Sequence, residues 1–311
     1  MSKIRRRDFI RSGMLAGGAV ILGPRFTTAS DIPVHTYAPP PTDAGIAVIS
    51  GDDPVNNMPR LINALGGISQ FVKQGQTVGL LANTPWKFPG YYTNPDVVLA
   101  VASLCRDAGA KEIVIFKSEP SGYWGKGKNN QAFQTLIDEF KYSTDRTEVE
   151  IPLGVTLKKA QIYSSLNSVD VFISIPVAKH HNGVIFSGNL KGLMGASSSN
   201  TNRYMHSPEG DYTYDKHEYL AQCIADLNTV RKPDLCVIDA IECATTNGPA
   251  GPGETVKPNK IIASRDPLAS DVYAATLIGF DPKDILTFPR AYAHGLGEID
   301  PGKLKIVEIQ D

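Results

Sequence analysis

VDVFISIPVAKHHNGVIFSGNLKGLMG, residues 169 to 195, decides the fold. An apolar run ends at Pro176, and Lys179, His180, His181 and Asn182 follow before a second apolar patch and Gly188, Gly192 and Gly195. A continuous apolar run of this length reads as a strand buried on both faces, the kind found in parallel sheets covered by helices. Basic and imidazole side chains released at its carboxyl end stand where an open α/β sheet places its ligand site. In an extended backbone His180 and His181 point to opposite faces, so one of the two enters such a site.

Outward from this stretch the chain alternates strands with helices. GIAVIS at 45–50, the start of TVGLLANTPW at 77–86, EIVIF at 112–116, DLCVIDA at 234–240, the stretch opening at Lys260 and the closing KLKIVEI read as strands. Asp52 and Asp53, Asn94 or Thr93, and Asp266, each group just ahead of a proline, read as helix caps. Trp86 opens an aromatic loop at a strand exit, which walls a pocket or forms a packed rim. EVEIP at 148–152 is expected as an edge strand, Thr156 to Leu166 as a helix, and Ser197 to Asp215 as a long polar loop offering Arg203, His206 and Glu209. The fold class expected is α/β, a mostly parallel sheet with helices on both faces. One domain over 45–311, with a division into two lobes near 152–168 left open, follows an export leader at 1–30 and a Pro-rich arm at 31–44.

The leader reading rests on RRDFIR near the start and a short apolar run with a small-residue end at Thr28, Ala29 and Ser30, the pattern of a twin-arginine signal. It predicts an exported, periplasmic chain handled by the twin-arginine machinery, membrane-associated if the leader is retained. Six of the 31 basic residues and one of the 32 acidic ones lie in the first thirty, so a chain starting at Asp31 has 25 against 31, a net charge of −6. No basic block remains in the body, which excludes the electrostatic footprint of a nucleic-acid partner and leaves a small-molecule ligand as the expected one.

Cys105, Cys223, Cys236 and Cys243 fit no iron–sulfur or c-type haem motif. They read as buried small hydrophobes, with a Cys236–Cys243 disulfide as the alternative. Three strand exits are expected to converge: Lys179 with His180 and His181, Asp239, and Asp266 with Asp271. Lys179, His181 and Asp239 are the catalytic candidates, and His181, Asp239 and Asp271 a candidate set for a divalent metal, although no HExxH-like spacing fixes two ligands on one face. Gly251 and Gly253, in the loop after Asp239, are expected to let backbone N–H groups approach a bound cofactor.

ANTPW at 82–86, TNP at 93–95, SVDVFISIPVAKHH through GNLKGLMG, DLCVIDAIE, NGPAGPGE, IIASRDPLASDVYAATLIGFDP and HGLG occur in an order that resembles the domain-of-unknown-function 362 family, over roughly Gly45 to Gly297. The resemblance implies that Lys179, His181, Asn189 and Lys191 belong to characteristic segments, with His180 in the intervening position, and it adds Asn189, Lys191, Gly192 and Gly195 as candidates for holding a cofactor. Many family members carry ferredoxin-like segments; this chain lacks those cysteines, so a redox role implies a partner protein or another cofactor. The family is also distantly similar to nickel-dependent lactate racemase, an α/β protein with a nucleotide-derived cofactor, a likeness of fold more than of reaction. Two functional classes stay open: a protein using a metal or an anionic organic cofactor, as an oxidoreductase or redox accessory, and a non-catalytic binder of an anionic small molecule or component of a larger complex.

Overall fold

A computed structural model describes residues 45–117, 119–212 and 216–310. The leader and the Pro-rich arm lie outside the described residues. The strands are β1 (Ile46–Ser50), β2 (Thr77–Ala82), β3 (Glu112–Ile115), β4 (Lys141–Tyr142), β5 (Arg146–Glu150), β6 (Lys159–Tyr163), β7 (Val171–Ile175), β8 (Lys179–His181), β9 (Ile185–Ser187), β10 (Leu235–Ala240), β11 (Cys243–Ala244), β12 (Thr255–Val256), β13 (Lys260–Ser264) and β14 (Ile306–Ile309). The helices are α1 (Pro54–Asn63), α2 (Pro95–Asp107), α3 (Gln134–Glu139), α4 (Ser165–Ser168), α5 (Asn189–Gly192), α6 (Ser199–His206), α7 (His217–Asn228), α8 (Pro267–Leu277) and α9 (Thr287–Ala293).

Eight strands form one sheet in the order β14-β1-β13-β10-β7-β2-β3-β4. All run in one direction except β13, which pairs antiparallel with β1 and β10. The expected fold class holds: a mixed, mostly parallel sheet between helix layers. Alternation along each strand builds two cores. Ala47, Ile49, Leu80, Ile173 and Val237 pack with Met58, Leu61, Val97 and Val101 of α1 and α2 on one face. Val48, Phe172, Ile238 and Ile262 pack with Leu220, Ile224, Leu268 and Val272 of α7 and α8 on the other.

The three proline-started helices are capped as expected. Asp53 accepts from the N–H groups of Val55 and Asn56, Asn94 from Asp96, and Asp266 from Ala269. Two expectations fail. Within Thr156–Leu166 the chain forms β6, a hairpin partner of β5 with Val149 opposite Ala160, because Ala160 and Ile162 turn inward while Lys159 and Gln161 face water. That is a period of two, and it outweighs the helical reading. Within Ser197–Asp215 the segment Ser199–His206 is helix α6, started by the Ser198 side chain accepting from Thr201 N–H.

The sequence-based expectation of membrane association is corrected on this structure: among the described residues no helix is long and apolar enough to cross a membrane. The four cysteines are buried and unpaired, so Cys236 and Cys243 form no disulfide.

Candidate functional site

The connection β2 to β3 runs to one side of the sheet, while β7 leads to β10 on the other. Neighbours whose connections diverge leave a crevice at their carboxyl ends, because no crossover covers it. A cavity of about 400 Å³ opens there. Its lining includes Leu81, Ala82 and Asn83 from the end of β2, Lys117 from just beyond β3, and Pro176 from just beyond β7.

After Pro176 the chain stays beside β10: Asp239 N–H donates to the Pro176 carbonyl and Ala178 N–H to the Asp239 carbonyl, each at 2.9 Å. It then leaves the sheet as the β8–β9 hairpin, with Lys179 opposite Ser187 and His181 opposite Ile185. Two residues apart on one strand, Lys179 and His181 share a face and both line the cavity. His180 turns the other way, accepting from Gly248 N–H at Nδ1 and lying against Phe280. From the far wall α5 and the turn after it contribute Lys191, Gly192, Met194 and Gly195, and α6 contributes Ser199, Asn202 and His206.

The lining is cationic: Lys117, Lys179, Lys191, His181 and His206 share it, and among the described residues no carboxylate side chain does. Lys179 is fully buried, with its ammonium donating to the carbonyls of Tyr91 (2.8 Å) and Pro249 (2.9 Å) and lying 5.1 Å from the centre of the Trp86 ring. Burial, then Lys191 and Lys117, hold its amine well below the ordinary lysine range. Burial and then Lys117 bring Lys191 to about 8, and burial with Arg146 lowers Lys117. His181 and His206, with rings 6.4 Å apart, are both pushed toward the neutral form, chiefly by burial. Their tautomers are opposite. Gly183 N–H donates to His181 Nδ1 at 3.0 Å, which places the proton of the neutral ring on Nε2. His206 Nδ1 lies 2.7 Å from the Asn202 carbonyl and must donate to it, which leaves Nε2 unprotonated.

The candidate carboxylates stand elsewhere. Asp239 is at its strand exit but turns from the cavity, accepting from the N–H groups of Asn94 (2.7 Å) and Ile241 (3.1 Å). It ties β10 to the start of α2. Because β13 is antiparallel, its carboxyl end lies at the opposite sheet edge, so Asp266 is delivered away from Lys179 and His181. Asp271, on the second turn of α8, accepts from the N–H groups of Asn189 (2.7 Å) and Leu190 (2.9 Å) and so holds the start of α5. Burial raises Asp239 to about 6 and Asp271 to about 7 against those hydrogen bonds. A metal centre of His181, Asp239 and Asp271 does not fit this arrangement: among the described residues no three His, Cys, Asp or Glu side chains group to hold an ion.

Asn189 is buried behind the cavity, its amide donating to Ser270 Oγ at 3.1 Å. Gly251 and Gly253 lie under Tyr91 and outside the lining; a Cβ at Gly251, where φ is +73°, would stand 2.8 Å from the Tyr91 ring. They support the residue whose carbonyl receives Lys179. Trp86 is a pocket wall rather than a rim, joined there by Tyr212. The sequence singles out neither Lys117 nor Tyr212, and it offers His206 only as one of several polar side chains in a loop. The one local signal is position, since Lys117 and Trp86 each follow a buried strand by a few residues.

A family model described as "Domain of unknown function (DUF362)" matches residues 78–276, which holds the hairpin, α5 and the cavity floor. The chain belongs to this family. Over 245 residues, 76% of this chain and 73% of the relative, it is 27% identical to a thylakoid-associated protein of Synechocystis sp.. Among solved structures, the lactate racemase apoprotein of Thermoanaerobacterium thermosaccharolyticum matches with TM-score 0.39 at 11% identity, over 65% of this chain and 52% of that one. A Thermotoga maritima protein matches with TM-score 0.35 at 13% identity, over 61% and 51%. The chain thus spans about half the length of each solved structure, and likeness this distant says nothing of chemistry.

Proposed function

We propose that this DUF362 protein binds a small organic anion in the crevice between β2 and β7. One observation carries the reading: three lysines and two histidines line one cavity that, among the described residues, holds no carboxylate side chain. Burying ammonium groups without counter-charge costs on the order of several kcal/mol each, and an anion in the cavity offsets that cost. Lys117 and Lys191 supply charge, and Pro176, Met194 and Trp86 supply apolar surface for a carbon skeleton. Within the first class open at the sequence level this favours an anionic organic cofactor over a metal centre, and it equally supports the second class, a binder of an anionic small molecule. A resident organic cofactor and an exchangeable metabolite share this chemistry.

Titration calorimetry of the full chain with phosphate, L-lactate and citrate, beside native mass spectrometry of the freshly purified protein, tests the reading. At least one anion is expected to bind saturably, or a resident anion to be carried through purification. Joint Lys117→Met and Lys191→Met replacement should weaken that binding about tenfold or more, which is about 1.4 kcal/mol. A protein that carries no resident mass and binds none of the three anions would falsify it.

A further inference from the structure

The three lysines of the anion site differ in what they are free to do. Lys179 is committed to two carbonyl groups, and withdrawing it would leave both unsatisfied. Lys117 stands just beyond β3, with Arg146 acting on it from the β5 side. Lys191 sits on the one-turn helix α5, whose start is clamped by Asp271 through the N–H groups of Asn189 and Leu190. Gly188 makes that clamp possible, since a Cβ there would stand 2.3 Å from the Asp271 carboxylate. The charged or imidazole groups of the lining around Lys191 are Lys117, Lys179, His181 and His206, and among the described residues its ammonium has neither an ion-pair nor a hydrogen-bond partner. A lysine desolvated among other cations gives up its proton readily and becomes a nucleophile, and burial with Lys117 brings this one to about 8.

Resting on the anion-site reading, we propose that Lys191 forms a reversible imine with a carbonyl-bearing organic anion of the 2-oxo acid class. The neutral amine attacks the carbonyl carbon, a C–N bond forms, and the π pair moves to oxygen. A proton passes from nitrogen to oxygen within the cavity. The hydroxyl then takes one further proton and leaves as water, giving the protonated imine. Nothing is oxidised or reduced. The carboxylate of the 2-oxo acid stays with Lys117, and the imine nitrogen keeps a positive charge beside it.

The test is reductive trapping. The full chain is incubated with pyruvate, glyoxylate and 2-oxoglutarate in turn, reduced with borohydride, weighed intact and mapped by peptide mass spectrometry. One reduced adduct on Lys191 is expected from at least one of them, forming about tenfold faster at pH 9 than at pH 7 because the amine titrates at about 8. Lys191→Arg, which keeps the charge but cannot condense, should lose the adduct, while binding of L-lactate or phosphate is read on the parent chain. An adduct confined to other lysines, or none from any of the three acids while anions still bind, overturns the imine and leaves the anion site standing. Absence of both adduct and anion binding sinks the two together.

Discussion

Buried charge occurs in two regions of this molecule with opposite settings. Asp239 and Asp271 are almost wholly buried, 2% and 1% exposed, and each carboxylate is met by two backbone N–H groups at a helix start or strand exit. Lys117 and Lys191 are half-buried at the cavity, and among the described residues nothing neutralises them. The acids are satisfied by the fold and serve it. Among the described residues the amines have no such partner, and the proposed anion site rests on that. Burial alone therefore does not mark a functional group; the missing partner does.

Asp239 is where the contrast breaks most directly. Asp239→Ala leaves the N–H groups of Asn94 and Ile241 without their acceptor in a buried place, and a loss of about 3 kcal/mol in urea-unfolding free energy is expected. Lys191→Met should do the reverse, lowering anion affinity at least tenfold by calorimetry while raising the urea midpoint at pH 7, since it removes a charge that has no partner among the described residues. A Lys191→Met protein less stable than the parent would mean that the lysine is structurally satisfied after all.

The pH dependence of stability separates the regions by sign. Asp239 and Asp271 sit at about 6 and about 7 in the fold against an ordinary 3.8, so between these values the folded chain holds protons that the unfolded chain has lost. Their contribution makes stability decline as pH rises from about 4 to about 7. Lys191 at about 8 against an ordinary 10.5 has the opposite effect, and stability attached to it rises as pH climbs between those values. Unfolding series at pH 4 to 10 on the parent and on Asp271→Asn should show the acidic slope reduced in the variant and the alkaline rise retained. The smallest effect expected is at Asp53→Ala, where loss of an exposed cap should cost about 1 kcal/mol and leave anion binding unchanged.

Much of the fold and part of the site are legible in the amino-acid sequence. The run through Ile175 is a buried strand because it has no polar alternation, and the spacing of Lys179 and His181 puts them on one face whatever the hairpin does next. The caps at Asp53, Asn94 and Asp266 are equally readable, since a cap is a contact within a few residues. The failures are of another kind. Lys159 to Tyr163 carries a period of two that only its pairing with β5 makes decisive, and the polar composition around Ser199 hides α6, whose buried side is Thr201, Met205 and His206.

Read alone, the residues settle the buried strands, the capped helix starts and the face shared by Lys179 and His181, because these follow from period and from hydrogen bonds that span a few residues. Only the tertiary structure decided that β13 runs against its neighbours, which carries Asp266 to the far edge, and that Asp271 clamps α5 rather than facing a ligand. It also gathered Lys117, Lys191 and His206 around one cavity. Strand direction and the solvation of a charge are set by hydrogen bonds and packing between residues distant in the chain, and no local pattern encodes them.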